Sequence, residues 1–472
     1  MYKKNIWKDA SNEKFNDIMQ FCDDYKNFLS YSKTERLVVK RATELSAEKG
    51  FKPLTDYKTL KAGDKVYFTN KGKNIAVFII GKKPILEGLR VLGAHIDSPR
   101  IDLKQNPLYE RTGFAMGDTH YYGGIKKYQW VTIPLALHGV VIKKYQWVTT
   151  PLALHGVVCK KDGSIIDVNI GENPDDPVVG ITDLLIHLSA DQMQKNAAKV
   201  IEGEDLDITL GNIPLADTDK EAVKANVLSL LANKYDIEEE DFISAEIEIV
   251  PAGQARDYGL DRSMIAGYGH DDRVCAYTSL RAILDQGACE YTTCAILVDK
   301  EEVGSIGATG AQSEWFKNIV AKLLVAQGST NYTDLATTFE NTKMLSSDVS
   351  CAVDPLYSYA TPEANTSLFA HGIVFNKYTG ARGKSGCNDA MPEYVAWCRN
   401  VMDENNIHYQ TSELGKVDLG GGGTIAYILG NYNMNVIDAG VPVLNMHAPM
   451  EIVSKADVYE AYCAYKAFIS KN

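Results

Sequence analysis

The sequence predicts a multidomain α/β protein whose main domain is interrupted by a β-rich insertion. The chain has 472 residues, which is enough for two or more domains and a large core. Apolar strands alternate with helical segments towards both ends, whereas residues 106–250 contain shorter β-like segments and acidic loops. We therefore expect a discontinuous domain of residues 1–105 and 251–472 around an inserted domain of residues 106–250.

The composition narrows the class of protein. Hydrophobic residues make up 45% of the chain and charged residues 23%, as in ordinary globular proteins. The net charge of −12 argues against a nucleic-acid partner, because phosphate backbones attract basic surfaces. No segment approaches the ~20 apolar residues of a membrane span, and the first residues lack the apolar core of a secretory signal. Nine scattered cysteines without CxxC spacing indicate reduced thiols, so we expect a cytoplasmic protein.

Local patterns predict the first elements in order. The first ~50 residues have helical periodicity. Ser32-Lys33-Thr34-Glu35 resembles a capping box with Ser32 as the N-cap, and Gly50 is placed to end the following helix. Strands are predicted at residues 65–69, 74–80 and 90–94.

One segment is duplicated. Residues 125–141 (IKKYQWVTIPLALHGVV) recur directly as residues 142–158 (IKKYQWVTTPLALHGVV), and the copies differ only at Ile133 and Thr150. Repeat architectures need about three or more units to bury a core, so the pattern does not predict a solenoid. We interpret it as a cloning, register or sequence artefact, with a functional device as the alternative, and the histidine in each copy gains no functional weight from the repetition.

Carboxylates and imidazoles stand where predicted elements begin or end. They are His95 and Asp97 after one strand, Asp271 before a helix, Glu301 and Glu302 after a buried strand, Asp348 after a short strand and His447 at the end of another. Open α/β sheets place their chemistry at such strand ends. Zinc prefers histidine nitrogen and carboxylate oxygen, and two-metal hydrolases hold their ions ~3.5–4 Å apart. We therefore expect a two-metal site in which one of the adjacent glutamates binds metal and the other acts as a base.

Each of these residues has a simpler interpretation when it is taken alone. An HxD pair is usually structural, and Asp271 with Asp272 is a common N-cap pair. Asp348 would be a turn residue and His447 a loop histidine, while adjacent glutamates often form a solvated charge pair. Five separate ends of predicted elements each carry a carboxylate or an imidazole, and this combination favours a metal site over the simpler interpretations.

Two further segments are candidates for contact with a substrate. Gly422 lies in a glycine run, residues 420–423, that lacks the Lys-Ser/Thr tail of a nucleotide-binding loop. The run predicts either a backbone loop lining a pocket or a plain turn. Lys377 offers a cation for a substrate carboxylate, with a solvated surface lysine as the alternative.

With these residues, the chain resembles the aminopeptidase I / aspartyl aminopeptidase family of co-catalytic zinc exopeptidases. The resemblance rests on GAHIDSPR (93–100), GYGHDDRVCAYTSL (267–280), DKEEVGSIGATGA (299–311), SSDVSCAVDP (346–355) and LNMHAPMEI (444–452). These motifs span nearly the whole chain and are specific in combination. The HDDRVCAYTSL form is more similar to the aminopeptidase I branch.

The family pattern implies a role for each candidate. Asp271 would bridge two zinc ions, with His95 and Asp348 completing one site and Glu302 and His447 the other. Glu301 would be the general base and Asp97 would orient His95. Cobalt or manganese stay open as alternatives to zinc.

The resemblance also implies the architecture and the activity. The expected catalytic domain is a phosphorylase/hydrolase-like mixed sheet sandwiched by helices, and the β-rich insertion would form dimers that assemble into a homododecamer. His187 of the insertion would reach a neighbouring subunit's site and contact substrate. The implied reaction is removal of N-terminal amino acids from peptides with a free N-terminus. The alternatives are a dinuclear amidohydrolase acting on N-acyl amino acids and a non-catalytic, shell-forming scaffold, and the preferred N-terminal residue, acidic or neutral, stays open.

Overall fold

The computed structural model describes residues 4–130, 151–173, 175–329, 331–362 and 364–472. The chain forms two compact units. The first comprises Met1–Asp97, Ala255–Met446 and Glu451–Asn472, and the second comprises Ser98–Gln254 and His447–Met450. Residues 131–150, which include His138 and the junction between the two copies, lie outside the described residues.

The α-helices lie mainly in the first unit, and α4 belongs to the second. They are α1 (Ile6–Asp9), α2 (Asn12–Tyr31), α3 (Glu35–Glu48), α4 (Ala222–Tyr235), α5 (His270–Leu284), α6 (Trp315–Ala326), α7 (Tyr332–Glu340), α8 (Ala381–Lys384), α9 (Pro392–Glu404), α10 (Ile425–Gly430) and α11 (Lys455–Ser470). In the part of the chain that the structure describes, none of the helices is both long and apolar enough to cross a membrane.

The strands form three sheets, two in the first unit and one in the second. They are β1 (Lys52–Pro53), β2 (Lys65–Asn70), β3 (Asn74–Ile79), β4 (Leu89–His95), β5 (Arg100–Arg111), β6 (Phe114–Tyr122), β7 (Leu152–Cys159), β8 (Ile165–Ile170), β9 (Ile208–Gly211), β10 (Ala245–Pro251), β11 (Arg256–Tyr258), β12 (Met264–Gly267), β13 (Thr292–Val298), β14 (Lys343–Ser346), β15 (Ser350–Cys351), β16 (Ile373–Asn376), β17 (Tyr409–Thr411), β18 (Asn435–Gly440), β19 (Pro442–Leu444) and β20 (Glu451–Ser454).

A mixed nine-stranded sheet is the centre of the first unit. Its order is β1-β2-β3-β13-β4-β14-β18-β16-β17. Both faces are apolar: along β3, Val77 packs into a cluster with α2, α5 and α11, whereas Phe78 points into a second cluster with α6 and α10. A sheet buried on both faces reads as a continuous apolar run, which is the pattern of its central strands. This arrangement confirms the predicted α/β class.

The parallel part of this sheet fixes where its polar strand ends meet. Strand β4 pairs in parallel with β13 on one side and with β14 on the other. The register places Val298 opposite His95 and Ser346 opposite Gly93, so the three strands end at the same edge. A smaller five-stranded sheet of the same unit has the order β11-β12-β20-β19-β15.

The second unit is built on a six-stranded sheet with the order β8-β7-β10-β5-β6-β9, in which the neighbouring strands are antiparallel. The second copy of the repeated segment supplies β7. This strand pairs with β8 on one side and β10 on the other, and its His155 is buried and lies 3.1 Å from Glu172.

One local prediction is wrong. Ser32 does not begin a helix: it follows α2, and its backbone N–H donates to the carbonyl of Phe28. The N-cap of α3 is Thr34, whose hydroxyl accepts from the backbone N–H of Leu37 over 3.4 Å. Two residues that can cap a helix, Ser32 and Thr34, lie close together here. Because α2 continues to Tyr31, Ser32 caps the C-terminus of α2 and Thr34 caps the N-terminus of α3. Gly50 follows α3 with a φ of 82°, as its predicted position requires.

Candidate metal centre

Two adjacent parallel strands and the start of a helix bring the predicted ligands of one ion together. His95 ends β4, Asp348 follows β14, and Asp271 lies in the first turn of α5. One potential ligand atom of each lies within 4.8 Å of the corresponding atoms of the other two. The carboxyl ends of β4 and β14 meet because the strands are parallel neighbours, so the sheet brings His95 and Asp348 together, and α5 adds Asp271.

His95 is the buried centre of this cluster. Its Nδ1 donates to the carbonyl oxygen of Asp97 over 3.0 Å, and its Nε2 lies 3.1 Å from Oδ1 of Asp271. Burial favours the neutral ring, but the hydrogen bonds to Asp271 and Asp97 outweigh it and raise the pKa of His95. A hydrogen bond at Nδ1 directs Nε2 towards the carboxylates, which is the tautomer a metal-binding histidine needs.

The two adjacent glutamates follow β13 in a short 3-10 turn that Asp97 holds. Oδ1 of Asp97 accepts from the backbone N–H of Glu301 (3.1 Å), and Oδ2 accepts from that of Glu302 (3.2 Å). Asp97 is fully buried, and Oε2 of Glu301 lies 3.9 Å from Nε2 of His95. Sequence reasoning assigned Asp97 only to the His95 ring and missed its hold on the glutamate turn.

Asp271 also approaches Glu302. A carboxylate oxygen of Glu302 lies within 4.8 Å of one of Asp271. The peptide bond between Asp271 and Asp272 is cis, and both residues depart from helical geometry at the start of α5. The backbone N–H of Asp271 donates to Oε2 of Glu451 over 2.9 Å. Sequence reasoning gave Glu451 no role, although a glutamate at the start of an apolar strand is a detectable signal.

The donor set fits divalent metal. Burial, together with the charges of Glu301 and Asp271, raises the pKa of Asp348 despite the opposing effect of His95. Several carboxyl groups therefore share a space in which their negative charges repel one another. Carboxylate oxygens and an imidazole nitrogen are the ligands that zinc takes, and a divalent cation would relieve this repulsion.

His447 lies in the short segment His447–Met450, which groups with the second unit. It has a left-handed backbone (φ 66°), and its Nδ1 donates to the carbonyl of Gly124 over 2.8 Å. Its assignment to a second metal stays a prediction from the sequence.

The three predicted substrate-binding residues have different environments. His187 is exposed in a 3-10 turn of the second unit. Lys377 is ion-paired with Asp389, which also binds Lys384 over 2.9 Å. The backbone N–H of Gly422 donates to the carbonyl of Thr379 over 2.9 Å. Their roles towards a substrate stay predictions.

Comparison with known proteins agrees with this fold. The model of the family described as aminopeptidase I zinc metalloprotease (M18) matches residues 28–146 and 142–469. A probable M18 family aminopeptidase 1 of Clostridium acetobutylicum is 53% identical over 472 residues, covering 99% of this chain and 98% of the relative. The crystal structure of an M18 aminopeptidase from Thermotoga maritima has a TM-score of 0.93, with 43% identity and 100% of each chain covered.

The chain therefore belongs to the M18, or aminopeptidase I, family of zinc metalloproteases. This confirms the resemblance drawn from the motifs and the prediction of a metalloaminopeptidase, and nothing in the comparisons supports an N-acyl amidohydrolase. The two matched pieces overlap at residues 142–146, the start of the second copy of the repeated segment. The repeat is thus the place where the family pattern is interrupted.

Proposed function

We propose that this aminopeptidase uses two divalent metal ions, preferably zinc, to hydrolyse the first peptide bond of substrates with a free N-terminus. The observation that carries the proposal is the position of Asp271, whose carboxylate lies near His95 and Asp348 and also near Glu302. A carboxylate with two oxygens can serve one ion with each, so Asp271 is the proposed bridge. His95 and Asp348 would complete one site, and Glu302 with His447 the other.

When bound, the two ions lower the pKa of water and stabilise negative charge that develops on the substrate carbonyl. Glu301 accepts a proton from the attacking water and passes it to the leaving amine. Its side chain is 16% exposed, so solvent and substrate can reach it, and it stands 3.9 Å from His95. Asp97 keeps the backbone of Glu301 in place, and His95 keeps its Nε2 directed at the cluster.

Glu301→Gln tests this assignment. We expect it to keep both metals and to lose turnover of an aminoacyl anilide by about 10²- to 10⁴-fold, because the amide cannot accept the proton. Glu314→Gln is the matched control, since Glu314 is 66% exposed and forms a surface ion pair with Lys317 of the adjoining helix. Full activity of Glu301→Gln, or loss of its metal, would contradict the role of Glu301 as base.

Substrate selectivity is tested with one pair of compounds. An N-acetylated aminoacyl anilide should be inert, whereas the free amine should be cleaved. A panel of N-terminal residues then determines whether acidic or neutral side chains are preferred and whether Lys377, His187 or Gly422 contributes. Equal cleavage of both compounds would contradict an aminopeptidase.

We further propose that residues 1–105 and 251–472 form the catalytic domain and residues 106–250 an oligomerisation domain. A yeast structure with a similar fold, at 20% identity and a TM-score of 0.75, is that of the mApe1 dodecamer. A native mass of twelve subunits is the expected result, and a monomer would contradict it. All nine cysteines are free thiols, which supports activity in the reducing cytoplasm.

A further inference from the structure

The backbone N–H of Asp271 needs an acceptor that α5 does not supply. N–H groups in the first turn of a helix have no partner within the helix. Asp271 has φ −79° and ψ 105°, outside the helical region, and is only 3% exposed. A buried N–H without an acceptor costs about 1–3 kcal/mol, so this group must be satisfied from another element.

Glu451 supplies that acceptor. Its Oε2 lies 2.9 Å from the nitrogen of Asp271, and the residue is 1% exposed. Glu451 is the first residue of β20, and the antiparallel register places it opposite Gly267 at the end of β12. The chain then turns through Gly269, which has a φ of 75°, and the backbone N–H of Asp271 reaches the Glu451 carboxylate. Strand register and a glycine turn therefore determine this contact.

We propose that Glu451 is a positioning residue that sets the orientation of the Asp271 carboxylate. Rotation of the backbone at Asp271 would move both of its oxygens at once, and a bridging carboxylate needs both in place. The inference rests on the two-metal function proposed above, because only a bridging role makes both oxygens matter.

The neighbouring residues hold the same turn from other sides. The hydroxyl of Tyr25 lies 2.7 Å from Nδ1 of His270, the residue before Asp271. Arg273 donates to the carbonyls of Tyr268 (3.2 Å) and Lys33 (2.6 Å). These contacts fix the ends of the turn, whereas Glu451 is bonded to the backbone of the proposed bridge itself.

Metal binding, measured without substrate, tests the proposal. Co²⁺ is titrated into the metal-free full-length protein, and its dissociation constants and visible absorption spectrum are recorded. Glu451→Met removes the acceptor, and we expect Co²⁺ affinity to fall by about 10- to 100-fold, the range for loss of groups that orient ligands, with an altered spectrum. Glu451→Gln keeps an acceptor oxygen and should restore affinity to within about threefold of the wild type.

Glu460→Met is the matched control. Glu460 is also 1% exposed and its carboxylate also accepts a backbone hydrogen bond, but from His408, with further side-chain hydrogen bonds from His408 and Lys14. We expect the Glu460→Met variant to be less stable than the wild type but to have the same Co²⁺ affinity and the same visible spectrum. If Glu451→Met does not fold, Glu451→Asp replaces it, because the shorter acid keeps the charge and withdraws the acceptor by one methylene.

The outcomes separate the two proposals. Wild-type protein that binds fewer than two Co²⁺ per chain contradicts the proposed two-metal function. Wild-type protein that binds two, together with Glu451→Met or Glu451→Asp binding them as tightly as Glu460→Met does, overturns the role of Glu451 alone. Weakened Co²⁺ binding that Glu451→Gln restores supports it.

Discussion

The backbone N–H of Glu301 donates to Oδ1 of Asp97 over 3.1 Å. The other oxygen of the same carboxylate holds Glu302, and the carbonyl of Asp97 holds the ring of His95. One buried residue therefore connects the proposed base with two proposed metal ligands, and its removal should affect both functions.

Asp97→Asn should reduce kcat more than it raises KM. An asparagine has one acceptor oxygen, so its amide group would face one of the two N–H donors of the glutamate turn and displace it. We expect kcat to fall by about 10- to 100-fold with weaker metal retention, measured by steady-state kinetics and metal analysis. An unchanged kcat in a metal-replete variant would show that the turn does not depend on Asp97.

Gly440→Ala should disturb the metal centre by displacing the backbone of Asp348. A Cβ at Gly440 would stand 1.7 Å from the carbonyl oxygen of Asp348, so that backbone must move. We expect lower metal affinity and an overpacking cost of about 1–3 kcal/mol, seen as a lower Tm. Gly287→Ala is the control, because nothing lies within 4 Å of its Cβ position. Equal metal affinity in the two variants would contradict the expectation.

Glu460 should contribute stability that is lost in acid. Burial would raise the pKa of this carboxyl, but hydrogen bonds from His408 and Lys14 outweigh it and hold the pKa below its ordinary value. A depressed folded-state pKa gives stability that is present above about pH 4.3 and disappears as pH falls through the folded value. The Tm difference between wild type and Glu460→Gln should therefore be large at neutral pH and shrink below about pH 4.3.

Glu404→Gln is the control for this pH series. Glu404 is 47% exposed and pairs with Lys471 at the surface, where such pairs contribute little. The Tm of the Glu404→Gln variant should match that of the wild type at every pH of the series. A Glu460→Gln difference that does not change with pH would mean that the titration of Glu460 is not its source.

Deletion of residues 131–147 should leave a folded, active enzyme. The deletion joins Trp130 to Val148 and restores a single copy of the repeated segment. The strand β7 and its pairing with β8 and β10 come from residues that are kept. Circular dichroism, Tm and turnover of an aminoacyl anilide check the result. An inactive or unfolded deletion variant would contradict the interpretation of the repeat as an artefact. Separately, the intact mass of protein from its native source shows whether the second copy is present there.

Local patterns predicted much of the main domain correctly. The predicted strand at residues 65–69 is β2 with one further residue, and the predicted strand at 90–94 is β4 with one further residue at each end. These predictions succeed because buried strands need apolar runs and their ends need polar or turn residues. The capping box at Ser32 failed because two helix ends lie within three residues, and the sequence pattern does not separate the end of one helix from the start of the next.

The sequence by itself determined the residue types of the metal centre and their places at the ends of elements. The tertiary structure decided which ends meet: β13, β4 and β14 are adjacent, although β13 and β14 lie far from β4 in the chain. It also decided that Glu451 serves Asp271, 180 residues away, and that Asp97 serves the glutamate turn as well as His95. Strand order and long-range hydrogen bonds depend on how the whole core packs. Local sequence periodicity does not specify that packing, because it reflects only whether each segment is helical or extended and which face is buried.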